Sequence, residues 1–237
     1  MLRQAADAGR HADLRLQRRL PDGYLGAVSV RRTEYETTRV DRLALSAERY
    51  WNAWRAGYTL NVTDVANAGT PIGHDLALDY YYQGLSYAGL RLTVGEEEAV
   101  EEQQLITSDV RAISLQGRHW FDSRWALSWE IGHHQQGSYY DRQWLQLGLR
   151  HNFGNKHNAT VSFVYKDDRK DEALSDAAAI SLGYIYNYDK SIDLYGVYAY
   201  IHHTRDSEIR YPVSWSLDSP LPNENPQGMQ LGVRIKF

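Results

Sequence analysis

Charged side chains set one residue out of phase with large apolar ones are the chemically active feature of this sequence. Arg55, Asp79, Arg91, Glu130 and Arg234 each stand between two apolar or aromatic neighbours. Arg118 and Arg150 continue the set, as do Arg15, Arg19, Arg31, Glu48 and Lys236. In an extended strand successive side chains point to opposite faces, so this spacing gives one dry face and one charged face. A charge turned toward hydrocarbon near the bilayer midplane costs about 2–4 kcal/mol, so these groups belong on a water-filled or mutually paired interior. Two readings follow. The wall lines a pore rich in cations, whose local field favours anionic or polyhydroxylated solutes. Alternatively, guanidiniums and carboxylates neutralise one another and plug a narrow barrel, and the strand number, which sets the diameter, decides between them.

Hydrolytic chemistry has weaker support. His133, His134, Ser138 and Asp141 gather in one segment, and His202, His203 and Asp206 in another. A serine nucleophile needs its base and orienting carboxylate within hydrogen-bond reach. No G-x-S-x-G elbow is present. Adjacent histidines on a strand face opposite ways, so neither pair ligates one metal ion without distortion. The expectation is a non-enzymatic chain with no cofactor. Glu96, Glu97, Glu98, Glu101 and Glu102 read as an outward acidic loop; carboxylate clusters suit hard cations and would bridge lipopolysaccharide phosphates, but a solvated loop is the simpler reading. Asn61-Val62-Thr63 and Asn158-Ala159-Thr160 fit a glycosylation pattern inside expected strands, where the match is accidental.

The elements that position these groups show as a period of two from end to end. Leu76, Leu78, Tyr80 and Tyr82 oppose Asp75, Ala77, Asp79 and Tyr81; Leu145, Leu147 and Leu149 oppose Gln146, Gly148 and Arg150. Short breaks at Pro21-Asp22-Gly23, Asn52-Ala53, Gly84-Leu85-Ser86, Asp122-Ser123, Gly154-Asn155-Lys156 and Asp189-Lys190-Ser191 alternate with longer polar ones. The longer ones lie near Glu34 to Arg39, Asp64 to Gly73, Glu96 to Gln104, Gln135 to Asp141, Lys166 to Asp176 and Arg205 to Pro226. Tight turns on one side and longer loops on the other mark transmembrane barrels. The breaks leave about thirteen segments of about 9–14 residues, long enough to cross a bilayer when tilted. Val40 to Trp51 has the intrinsic composition of a helix, but its neighbours' period and the Arg-Tyr-Trp ending favour a strand.

Composition agrees. The 237 residues carry a net charge of −4, which argues against neutralising nucleic-acid phosphates. There is no cysteine, so disulfides and thiolate metal sites are excluded. Mean hydropathy is −0.58, and no run approaches the ~20 apolar residues of a helical span. Tyr (18) and Trp (7) far outnumber Phe (4), as suits a membrane–water boundary. Trp51, Trp54, Trp120, Trp125, Phe153 and Tyr186 flank short turns and read as an interfacial girdle.

From about Leu25 to Phe153 the sequence resembles the YaiO-type outer-membrane β-barrel family. The likeness is carried by LSAERYWNAWRAGYTL, HDLALDYYY, VGEEE and ISLQGRHWFDSRWALSWEIGHHQQGSYYDRQWLQLGLRHNF. Members of that family usually stop at the position of Phe153, whereas this chain continues. The continuation ends QGMQLGVRIKF, which resembles the closing strand of porins. That resemblance implies that Phe237 is the signal read by the barrel-assembly machinery. The YaiO-type likeness implies no assigned reaction, only a barrel near exopolysaccharide export.

The sequence therefore predicts one transmembrane antiparallel up-and-down β-barrel domain over residues 1–237, with about 12–14 strands. Its expected place is the bacterial outer membrane, among lipid and lipopolysaccharide, passing polysaccharide or small solutes; a plugged structural or receptor barrel is the alternative. Met1 to Arg10 lacks the apolar core of a signal peptide, and an odd strand count would leave one terminus outside, so an N-terminal truncation is expected.

Overall fold

The computed structural model describes residues 8–35, 39–66, 69–101, 104–137, 140–170, 173–203 and 225–235. Phe237, Lys236, Ser138, Glu102 and Asp206 lie outside them. Thirteen strands are present among the described residues: β1 (Ala8–Arg19), β2 (Tyr24–Tyr35), β3 (Arg39–Trp51), β4 (Trp54–Val65), β5 (Ile72–Gln83), β6 (Ser86–Glu101), β7 (Gln104–Trp120), β8 (Trp125–Gln136), β9 (Tyr140–Phe153), β10 (His157–Lys170), β11 (Ala173–Asn187), β12 (Ile192–His203) and β13 (Gln227–Ile235). They follow chain order in one sheet, the up-and-down arrangement of transmembrane β-barrels. No helix is long and apolar enough to cross a membrane.

The turns fall where the sequence places them. Between β1 and β2, Pro21–Gly23 makes a single 3₁₀ turn with Asp22 at φ 58° and Gly23 at φ 77°. A side chain at Gly23 would strike the Tyr50 carbonyl, so glycine is required there on two counts. At the Asp122 turn, the carboxylate accepts hydrogen bonds from the backbone N–H groups of Arg124 and Trp125, both at 2.7 Å. Those two donors hold the Asp122 carboxyl below the usual carboxylate range. Val40 to Trp51 is strand, paired along its length with β4. Packing against two neighbours overrides its helical composition.

Three of the longer breaks differ from expectation. β6 runs to Glu101 and β7 starts at Gln104, so Glu96 to Glu101 is strand rather than loop. Likewise β8 ends at Gln136 before β9 begins at Tyr140, and β10 reaches Lys170 before β11 begins at Ala173. A ladder continuing past hydrocarbon into water carries the polar composition of a loop, and so reads as one.

The chain divides into two compact units. One holds Met1–Tyr82, Ala88–Leu115 and His134–Tyr139; the other holds Gln83–Tyr87, Gln116–His133 and Tyr140–Phe237. The first has an exposed apolar face of Val28, Val30, Leu43, Leu45, Leu76 and Leu78. On β4 this face runs from Trp54 to Val62, about 26 Å of strand, or about 20 Å once tilted by about 40°. That covers most of the ~25 Å height of a lipid-facing band. Beyond it the same face turns ionic, with Arg32 and Arg39 both on Asp41. In the second unit, Val161, Phe163, Ile180, Leu182 and Leu231 are exposed in the same way. There the apolar face of β10 gives way to Asp167, paired with Arg169. Few apolar side chains are buried in either unit; the buried groups are mostly small or polar, among them Asp79, Ser86, Asp168 and Asp193. This inverts a soluble domain.

Candidate functional site

In the first unit the charged residues form a paired ladder on the face opposite the apolar one. Register sets Arg55 directly across from Asp79 on β5 and one step from Glu48 on β3. Arg55 Nη1 donates to Asp79 at 2.7 Å, while its Nε and Nη2 fork onto the two Glu48 oxygens at 2.9 Å each. Tyr50 adds its hydroxyl to Glu48 at 2.7 Å. Asp79, only 2% exposed, takes a second guanidinium from Arg91 at 2.7 Å. Gly89 makes this possible, because a Cβ there would collide with the Asp79 carboxylate. A second chain runs alongside: Arg42 donates to Asn61, Asn61 to Asp75, and Thr93 to Asp75. Arg42, Arg55 and Arg91 thus stand against Glu48, Asp75 and Asp79, three cations to three carboxylates, and this ladder is neutral in sum. A shallow recess lies among Glu48, Arg55, Asp75, Arg91 and Thr93, floored by Gly57 and Ala77.

The second unit is arranged differently. Glu130 accepts the Trp144 indole N–H, at 3.2 Å, and among the described residues it pairs with no cation. The Trp144 ring packs against Gly132, where any side chain would strike it. Arg142 grips Asp168 through two parallel bonds of 2.6 and 2.7 Å. Asp193, buried, has Arg234 at 3.8 Å. Arg150, by contrast, meets neutral partners: the side-chain oxygens of Asn152 at 2.9 Å and Asn158 at 2.8 Å. Its guanidinium also lies 5.8 Å from the centre of the Trp120 ring. Arg150 and Arg118 are exposed, and among the described residues neither is paired with a carboxylate. Two amide oxygens and a ring face orient Arg150 without cancelling its charge.

All seven lumen candidates, Arg55, Asp79, Arg91, Arg118, Glu130, Arg150 and Arg234, alternate with the exposed apolar residues of their strands. Of the girdle candidates, Trp51, Trp54, Trp125 and Phe153 are exposed on the apolar face. Tyr186 stacks on His157 with centroids 4.9 Å apart. Trp120 stands elsewhere: two residues after Arg118, it shares that residue's face and lies under Arg150. Asn61, Asp75, Thr93, Trp144 and the Arg142–Asp168 pair extend the wall beyond the residues singled out from sequence. Their parity with Arg55, Asp79 and Arg150 is the signal that would have found them.

Of the hydrolase candidates, Ser138 and Asp206 lie outside the described residues. His133 Nε2 lies 3.1 Å from both oxygens of Asp141, on the same strand face as Ile131 and Leu145. Among the described residues no group of three or more His, Cys, Asp or Glu side chains could hold a metal ion.

No family model matches the chain, and no curated protein matches it by sequence. Solved structures do. An anion-selective porin from Comamonas acidovorans matches with TM-score 0.63 at 15% identity, covering 96% of this chain and 89% of the porin. OmpT, an outer-membrane protein of Vibrio cholerae, matches with TM-score 0.62 at 9% identity, covering 95% and 88%. A bacterial polysaccharide outer membrane secretin matches with TM-score 0.58 at 10% identity, covering 96% and 80%. The shared property at these identities is the fold, that of outer-membrane β-barrels.

Proposed function

We propose that the chain is an integral outer-membrane barrel that acts as a passive, non-enzymatic channel with a preference for small anionic or polyhydroxylated solutes. One observation carries the reading: Arg150 is exposed, oriented by Asn152, Asn158 and Trp120, and left without a counter-charge among the described residues. Held positive charge beside a water-filled path draws anions. Neutral amides and an aromatic face also suit sugar hydroxyls and rings. The likeness to an anion-selective porin favours the first solute class; that to a polysaccharide secretin, with the YaiO-type motifs, favours the second. Lipid, lipopolysaccharide and the assembly machinery acting on Phe237 are the partners this placement implies.

A plugged barrel has its own support in the neutral ladder of the first unit, whose side chains are locked together. Reconstitution in planar bilayers separates the two. The channel reading expects stable open currents with anions favoured over cations, and a lower preference when Arg150 becomes Gln. A folded, inserted protein with no steady conductance would leave the plugged barrel standing.

A further inference from the structure

On the outward, apolar face of the first unit we infer a phospholipid site: a groove for an acyl chain beside two guanidiniums that take the phosphate. This rests on the membrane placement proposed above. The groove has a volume of about 620 Å³, inside the range of about 300–1,000 Å³ typical of small-molecule sites. Register builds it row by row. One row crosses the sheet as Arg18, Gly26, Ala47 and Tyr58; the next, away from the short turn, is Leu16, Val28, Leu45 and Leu60. Gly26 and Ala47 make the floor because they are small, and the surrounding leucines and valine make the walls.

The cations stand at the short-turn end. Arg18 occupies one end of the floor row, and Arg49 is paired with Tyr24 in the row beyond. Arg49 lies over two aromatic faces, 5.1 Å from the centre of Tyr24 and 5.8 Å from that of Trp51. Two strand spacings of ~4.8 Å separate the two arginines laterally, so one headgroup can lie between them. Both are exposed and, among the described residues, neither pairs with a carboxylate. Lipid-facing cations are tolerated near the interface, and they gain most there from an anionic partner.

Charge decides the occupant. A second copy of the chain docked face to face would bring four guanidiniums together. A phospholipid offers one phosphate to both arginines and a tail to the groove. The second unit holds an apolar groove of about 370 Å³ floored by Ala159 and Gly196, with no cation in its lining, and serves as an internal contrast.

The test uses the whole chain, refolded into vesicles, then extracted in mild non-ionic detergent and titrated with phosphatidylglycerol in native mass spectrometry. Diacylglycerol with the same tails is the uncharged control. The expected result is one phosphatidylglycerol retained at least tenfold more strongly than diacylglycerol. Arg18→Gln with Arg49→Gln should remove that difference. Gly26→Leu should lower retention by filling the floor; its Cβ would meet only Leu20 Cδ1, at 3.9 Å, so the strand accommodates it. Equal retention by the wild type and both variants, or equal retention of the two lipids, overturns the site while leaving the channel untouched. A chain that fails to insert into vesicles overturns the channel reading and this site together.

Discussion

The β3–β6 ladder of the first unit and the β7–β10 wall of the second solve the same problem, charge on a wetted wall, in opposite ways. In the first, each guanidinium among Arg42, Arg55 and Arg91 is tied into a chain that ends on Glu48, Asp75 or Asp79. In the second, Arg142 is neutralised by Asp168, whereas Arg118 and Arg150 keep their charge. The first arrangement gives rigidity: the side chains of that ladder are tied to one another and its charges cancel. The second gives a field at a defined place. A pore needs both, because a wall of unpaired charge would be floppy and a fully paired one would be indifferent to what passes.

Removing the keystone of the paired wall should have the largest effect. Asp79→Ala strips a counter-charge from both Arg55 and Arg91 and should cost about 2 kcal/mol. That is less than a fully buried pair, because both guanidiniums keep some access to water. The loss should appear as a lower urea midpoint for the inserted protein. It should also add anion preference, since the wall gains a net positive charge; an unchanged midpoint would mean the ladder is decorative. Next, Gly132→Ala should displace Trp144 and cost about 1–2 kcal/mol through overpacking, whereas Gly57→Ala in the other unit should be close to neutral. A side chain at Gly57 meets only ordinary contacts with Ala77, Glu48 and Arg55. Equal effects at the two glycines would contradict the packing described.

Arg150→Gln should leave the midpoint alone and act on selectivity. A unit charge about 6 Å from a passing ion in water is worth ~0.7 kcal/mol, a gain of about threefold for an anion and an equal loss for a cation, so about tenfold in their permeability ratio. Reversal potentials across a salt gradient measure it. The smallest effect belongs to the Asp122 turn. Its folded carboxyl titrates below its unfolded value, so the stabilisation is full above the ordinary carboxylate range and fades as pH falls through the depressed one. Amide exchange at Arg124 and Trp125, corrected for intrinsic rate, should quicken at acidic pH; Asp122→Asn should flatten that dependence.

Much of the architecture was legible because a lipid-facing strand writes a strict period of two. The short turns were legible because Pro21, Gly23, Gly84 and Gly154 punctuate it. Where β6 and β10 end was not, since Glu96 to Glu101 and Asp167 to Lys170 read as loop although they continue a ladder. Nearness to a turn gives Trp120 the look of an interfacial aromatic. Parity with Arg118 gives its face instead. Which charges pair was also hidden: Arg55 meets Asp79 because the register between β4 and β5 sets them opposite, and a one-residue slip would send the carboxylate to the other face. The freedom of Arg150 is legible only once Asn152 and Asn158 are seen to be its neighbours.

The central claim is that lipid and water meet alternate side chains of the same strand. Because the chain has no cysteine, single thiols can be placed along β5 without background. Spin labels at positions 75, 76, 77 and 78 in the vesicle-inserted protein, with accessibility read against oxygen and a water-soluble nickel complex, test this directly. The account predicts oxygen contact at 76 and 78 and nickel contact at 75 and 77. Equal nickel access at all four positions would contradict it.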